Sequence, residues 1–466
     1  MEIPLLGANR SGSNTDYRDN LPVNYTIVVR EVKGDQGYLI SHDGLTELAN
    51  DVGIDRGGIW NSRQQNHLRV SGNNLISVDE SGVTADLGII TGSGQCSLPY
   101  SFQTQGILSG NKFWLYNGDT LEPQPYSAFP NFAPIDAVWI NGIYVFTDRE
   151  NIYHTEANDE KAIQGSSFGT NEFAPDGTLG LLADSQNQLV VFDRYSTSWF
   201  RDNGGDNFRF SRVQGRFSRV GIVGTHCKVE LDGQIFLLGN RKDESPSIHI
   251  LTGSSETNVA TREIDIILEG YTEDELSQAV LETRTRKRQK ILIVRLLRDT
   301  LEYHFDVAKK FGNHLAWTII KSDVQGNAIW RGRNGVFDPR TSKWVYGDAI
   351  EGKLGYLDDT SNLQYGEKAE EICYTPLVNL ESKSINNFEL DTLPGFQTND
   401  ISVLLSMSFD GVVFGQETPV EYSSHGDYNQ QFAGFALGYV RHNFSIKLRS
   451  VNDGKTVFSG LRIEHD

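Results

Sequence analysis

From about residue 37 to 365 the apolar positions come in short runs of strand formers, each followed by a polar turn of two to four residues and then another run. Leu68-Arg69-Val70 turns at Gly72-Asn73-Asn74 into Leu75-Ile76-Ser77-Val78, and Val138-Trp139-Ile140 turns at Asn141-Gly142 into Ile143-Tyr144-Val145-Phe146. Lys112 to Tyr116 leads into Asn117-Gly118-Asp119, and Lys228 to Leu231 turns at Asp232-Gly233 into Ile235 to Leu238. Asn-Gly and Asp-Gly tolerate the positive φ angles of two-residue hairpin turns, so the pattern predicts antiparallel hairpins in series. Their centres fall near residues 73, 118, 142, 187, 233, 298 and 342, steps mostly close to the ~40 to 50 residues of a propeller blade. A four-stranded blade has two faces to cover and covers them only against its neighbours. That predicts a closed β-propeller of about six or seven blades. No signature residue recurs from unit to unit, and a series of β-sandwiches is the alternative.

Three segments depart from this pattern. The first thirty residues are polar and turn-rich, with Leu21-Pro22-Val23-Asn24 near their end, and read as an extended arm ordered only against other surfaces. Thr272-Glu273-Asp274-Glu275 has capping-box spacing, and Leu276, Ala279, Val280 and Leu281 follow at helical spacing. Together they predict one short helix ending near Arg284. After Tyr365-Gly366 the runs lengthen and alternate, at Ile372 to Leu377, Ile401 to Met407, Tyr439 to Leu448 and Thr456 to Ile463, as in a small β-sandwich. The expected organisation is therefore all-β: an arm at 1–30, a propeller at 31–365 and a β-sandwich at 366–466.

Composition fits strands and tight turns, with 46 Gly, 11% aromatic residues and only 2 Met in 466 residues. No run of eighteen apolar residues occurs and the opening residues show no signal pattern, so a soluble protein without membrane insertion is expected. Cys96, Cys227 and Cys373 are too few and too scattered for a disulfide framework or a zinc cluster, and are expected to be reduced. A formal charge of -19 argues against a general nucleic-acid binder, because phosphate affinity comes from Lys and Arg.

Against that acidity, Arg284, Arg286, Lys287, Arg288 and Lys290 place five cations within seven residues. This run is either a solvated loop or an electrostatic contact with an acidic protein surface, with packaged DNA a weaker candidate. Trp330-Arg331-Gly332-Arg333 and Tyr17 are candidate interface residues, because Trp, Tyr and Arg dominate binding hot spots. Glycoside hydrolysis needs paired carboxylates, and Asp299 with Glu302, Asp358 with Asp359, and Asp338 beside Pro339 sit in turns that Asp favours for local reasons. No Walker loop or zinc-protease helix is present. Neither a cofactor, a metal nor catalytic residues are expected.

Gly270-Tyr271-Thr272-Glu273-Asp274-Glu275-Leu276 with the apolar strand at Ile291 to Val294, Tyr374-Thr375-Pro376-Leu377, and the arm's Leu21-Pro22-Val23-Asn24 resemble the tail hub proteins of short-tailed bacteriophages, the packaged-DNA stabilisation family. Leu405-Ser406-Met407-Ser408-Phe409-Asp410-Gly411 is compatible with them, and the segments follow the family's order across residues 17 to 466. The resemblance implies a propeller with an added β-sandwich. It also implies a non-enzymatic virion subunit, assembled in the host cytoplasm as a ring of six below the head-to-tail adaptor. Such a ring would close the DNA channel and dock tailspikes or fibres and the tail needle. It makes Leu21, Pro22 and Asn24 further candidate interface residues. The alternative from another class is a soluble propeller that cleaves or binds glycans.

Overall fold

The computed structural model describes residues 2–5, 20–30, 36–129, 131–157, 159–171, 176–205, 207–324, 329–392, 401–423, 432–433 and 437–466. Within them, seven antiparallel sheets follow one another along the chain, at 55–89, 105–123, 136–169, 178–218, 228–258, 280–320 and 332–358. Six have four strands and the second has three. The chain is therefore a seven-bladed propeller. Asn141 and Gly142 both take positive φ (51° and 84°), as do Asp232 and Gly233 (57° and 72°), which is the hairpin geometry their side chains permit.

The ring closes without a covalent link. The seventh sheet draws three strands from 332–358 and its fourth, Gly44–Ala49, from the other end of the chain, paired antiparallel to Leu354–Asp358 from Leu354↔Ala49 to Asp358↔Gly44. Blades stack through apolar side chains: Leu68, Val70 and Leu75 of the first meet Ile107 and Trp114 of the second, and Ile143 and Val145 of the third meet Leu189 and Val191 of the fourth.

The second domain is a sandwich of two sheets. In one, Lys383–Thr392 pairs with Val457–His465; in the other, Asn443–Ser450 lies between Glu371–Tyr374 and Ile401–Ser408. Phe388, Val403, Phe444, Ile446 and Phe458 are buried between them. This core is continuous with that of blades four to six, through Phe192, Trp199, Phe236, Leu292 and Trp317. All three cysteines are buried and none forms a disulfide.

Two expectations are corrected here. The opening residues are not a detached arm followed by a propeller from residue 31. Glu2–Pro4 pairs with Val457–His465, Tyr25–Val28 pairs with Tyr38–Ser41, and the latter also pairs with Val457–His465, so all three strands belong to the sandwich. The cause is burial: Tyr25, Ile27 and Leu39 are at most 1% exposed, and that apolar alternation outweighs the polar turn signals around it. Nor does one helix run to Arg284. The capping box at Thr272 and Glu275 is present, but the helix is a single turn, Glu273–Leu276, with two further short helices at Arg262–Glu269 and Phe305–Phe311. Val280–Arg286 is a strand, paired with Gln289–Arg295 from Val280↔Arg295 to Arg286↔Gln289. Helical spacing over a few residues cannot compete with a seven-residue ladder that buries Val280 and Leu281.

Candidate interfaces and the joint between the domains

Strand geometry decides the fate of the basic run. Alternation sends Arg284 and Arg286 to one face of Val280–Arg286, and both are buried. Arg284 Nη2 donates to Glu302 Oε1 at 2.6 Å and lies 3.2 Å from His42 Nε2. Arg286 grips Asp43 with two bonds, Nε to Oδ2 at 2.5 Å and Nη2 to Oδ1 at 2.8 Å, and Lys455 Nζ adds a third at 2.6 Å. His42 and Asp43 are the two residues between the sandwich strand Tyr38–Ser41 and the ring-closing strand Gly44–Ala49. Propeller arginines and a sandwich lysine thus clamp the dipeptide at which the chain crosses between domains.

The charges in this joint are matched and desolvated. Burial raises the Glu302 carboxyl, but Arg284 and His42 outweigh it and hold the group at about 2. Asp43 lies well below the usual carboxylate range because Arg286 and Lys455 overcome its burial. Burial pulls His304 down to about 4, partly opposed by Glu302. Removing one member of such a buried pair leaves its partner charged without compensation, at about 3–5 kcal/mol.

The remaining cations of the run sit at the hairpin tip. Lys287 and Arg288 are its two turn residues, both with positive φ (46° and 74°) although neither is glycine. Both are exposed; Lys287 reaches Asp359 at 2.9 Å, and Lys290 pairs with Asp232. The five cations are therefore not one contact surface: two are structural, two form a tip, and Lys290 is tied to blade five.

Leu21, Pro22 and Asn24 lie inside the chain. Pro22 O accepts from Ile319 N (2.9 Å), Asn24 N donates to Ile319 O (2.8 Å), and Val23 exchanges bonds with Ile372 at 2.8 and 3.0 Å. The segment so hydrogen-bonds the outer strand of blade six to the edge of the sandwich. Asn24, at φ 55°, donates through Nδ2 to Glu370 O (2.7 Å) and accepts from Lys321 N (2.9 Å). Leu21 packs on the common core. These three residues hold the domains together and offer no free docking face; Tyr17 lies outside the described residues.

Trp330 is core, not surface. It is 1% exposed, sits edge-on to Tyr346 at 5.0 Å, and donates Nε1 to Gln364 at 3.2 Å. Arg331 pairs with Asp348 and Glu351 and lies over the Tyr365 ring. Arg333 lines a cavity and donates Nη2 to Gln95 Oε1 at 3.1 Å. The carboxylates weighed for hydrolysis have local partners: Asp299 accepts from Tyr271 Oη at 2.5 Å, Asp338 pairs with Arg340 and His67, and Asp358 caps Thr360.

Sequence reasoning missed His42, Asp43 and Glu371. Glu371 is buried beside the joint and accepts from Ser41 Oγ (2.8 Å), Asn362 Nδ2 (2.8 Å) and Thr456 Oγ1 (3.0 Å). Burial dominates those bonds and raises its carboxyl to about 7. Isolated polar residues between strands carry no periodic signal.

A seven-bladed ring fused to a sandwich by shared core, shared ladder and clamped charges defines a rigid two-domain β building block. Two family profiles match the chain: "Bacteriophage P22 Gp10, beta-propeller" over residues 1–362 and "Bacteriophage P22 Gp10, beta-sandwich" over residues 370–466. The chain belongs to the bacteriophage P22 Gp10 family. It is 24% identical to the tail hub protein gp10 of Salmonella phage P22 over 477 residues, covering 99% of this chain and 98% of that one. Among solved structures, virginiamycin B lyase from Staphylococcus aureus aligns with TM-score 0.43 and 10% identity over 69% of this chain and 99% of its own. The N-terminal domain of Nup159 aligns with TM-score 0.42 and 9% identity over 73% and 99%. Likenesses of this size carry no functional argument.

Proposed function

We propose that this chain is the structural hub subunit of a short phage tail. Six copies would form a ring below the head-to-tail adaptor, close the channel over the packaged genome, and dock tailspikes or fibres and the tail needle. The observation that carries the reading is end-to-end similarity, through both domains, to a protein named as a tail hub. The physical features agree with a load-bearing part. Its two domains share one core and one hydrogen-bonded ladder, and its formal charge of -19 keeps DNA from adhering to a passage it must traverse. Assembly in the bacterial cytoplasm suits three cysteines that form no disulfide.

The hairpin tip is the docking element this reading favours. Lys287 and Arg288 keep a left-handed backbone that Asn-Gly would adopt at lower cost, and they present exposed positive charge on an acidic chain. An acidic face of the adaptor or of a neighbouring subunit is the complementary partner. Electron cryomicroscopy of the native particle tests the proposal. Six propellers in a ring below the portal and adaptor are expected, with the tip at a subunit contact. Density for this chain elsewhere than in the tail would overturn it.

A further inference from the structure

A cavity of about 580 Å³ lies among the loops of blades one to three and five to seven. Its walls are the loops that lead into the first strands of several blades, together with the turns near Ser109, Leu297 and Ala349. Twenty-one residues line it and none is Asp or Glu. The whole chain holds 61 acids in 466 residues, an average that would put about three among twenty-one. The cavity instead holds two guanidinium groups, Arg295 and Arg333, surrounded by neutral donors such as Ser277, Gln278 and Asn111.

Neither arginine forms an ion pair with a carboxylate within 4.0 Å among the described residues. Arg295 spends its terminal nitrogens on backbone carbonyls, Nη1 on Gly332 O at 2.7 Å and Nη2 on Trp330 O at 2.8 Å. Arg333 Nη2 donates to Gln95 Oε1 at 3.1 Å, while its Nε is buried with no hydrogen-bond partner. Burial, together with repulsion from Arg333, outweighs the pull of Glu282 and brings Arg295 down to about 10. The adjoining cavity, which shares Gln95, His226 and Val280 with it, is lined by one charge of each sign: Lys228, paired with Asp136 at 2.7 Å, and Glu282, which accepts from the backbone of Asn334 and Gly335. The excess of positive charge is thus confined to the first cavity.

We propose that this cavity is an oxyanion site, in which Arg333 and Arg295 hold a phosphate or carboxylate group. A guanidinium with a free, desolvated N–H is a strong donor to an oxyanion, and an anion would relieve the repulsion between the two arginines. No Phe, Tyr or Trp lines the cavity. Its one aromatic ring is the small imidazole of His226, a poor platform for a base or sugar ring, and a compact anion is the better occupant. The same chemistry could arrive as a free ion or as the acidic side chain of a neighbouring protein. The inference is independent of the hub reading, because it concerns the isolated chain.

The test is isothermal titration of the full chain with inorganic phosphate, and separately with tetraglutamate, at ionic strength fixed by sodium chloride. Saturable binding is expected, weakened at least tenfold in Arg333→Gln. Gln278→Glu is the second variant: it sets a carboxylate at an exposed rim position, and should weaken binding severalfold while leaving the anion-free melting temperature unchanged. Tetraglutamate binding tenfold tighter than phosphate assigns the site to a chain-borne carboxylate; phosphate binding as tightly or more assigns it to a free oxyanion. Binding that does not saturate, or that is equal in wild type and both variants, overturns the proposal.

Discussion

Replacing Glu371 with Gln should stabilise the protein, and by an amount that depends on pH. The carboxyl is buried and its pKa stands at about 7 against an ordinary 4.5. Above pH 7 the folded chain must hold a desolvated carboxylate that the unfolded chain holds in water. A shift of this size costs about 3 kcal/mol at pH 8, and about 1 kcal/mol at pH 5 where the folded group is protonated. The amide keeps the shape, still accepts from Asn362, and can donate to the hydroxyl of Ser41 or Thr456. For 466 residues the unfolding entropy is near 1 kcal/mol per kelvin, so Glu371→Gln should raise the melting temperature by about 3 °C at pH 8 and about 1 °C at pH 5. Differential scanning calorimetry of both proteins from pH 5 to 8 reads this directly. A shift independent of pH, or a loss of stability at pH 8, would refute the claim that this carboxyl carries an uncompensated charge.

Arg286→Met breaks the clamp on Asp43 and should lower stability by about 3–5 kcal/mol, roughly 3–5 °C in melting temperature; a loss below about 1 °C would mean that Lys455 alone suffices. Lys287→Asn with Arg288→Gly relieves two left-handed non-glycine residues and should stabilise by about 1–2 kcal/mol, less the small exposed pair with Asp359; unchanged thermal unfolding would show the turn to be unstrained. In the Glu371→Gln background, acid should destabilise. His67 and His304, held by burial at about 4, lose their contribution as pH falls from 6.5 to 4, and Glu302, held at about 2, loses its own below 4.5. A melting temperature that rises between pH 6.5 and 4.5 in that variant contradicts this sign.

The repeat was legible because each hairpin announces itself locally. Asn141-Gly142 and Asp232-Gly233 fix both the turn and the register of the strands beside them, and the blades follow from those strands. Ring closure was not legible, since nothing in Gly44-Leu45-Thr46-Glu47 marks it as partner to a strand some three hundred residues away. The charge density of residues 284–290 drew attention to the right segment for the wrong reason. Alternation inside a strand buries every second residue, so Arg284 and Arg286 serve the joint while Lys287 and Arg288 face water. The two domains read as separate in sequence because their textures differ, yet a few polar residues between strands, His42, Asp43 and Asn24, unite them.

Closing the ring with its first strand sets the order in which the molecule can be made. Gly44–Ala49 leaves the ribosome long before its mate Leu354–Asp358, and the hairpin of Tyr25–Val28 with Tyr38–Ser41 must wait for Val457–His465, which Tyr38–Ser41 joins. Until those later strands emerge, Gly44–Ala49 and the free side of Tyr38–Ser41 are open edges that can pair with other nascent chains. The propeller, whose strands all lie within residues 44–358, can close before the sandwich, which needs Val457–His465. A chain without residues 457–466 forfeits the strand on which Glu2–Pro4 and Tyr38–Ser41 are laid.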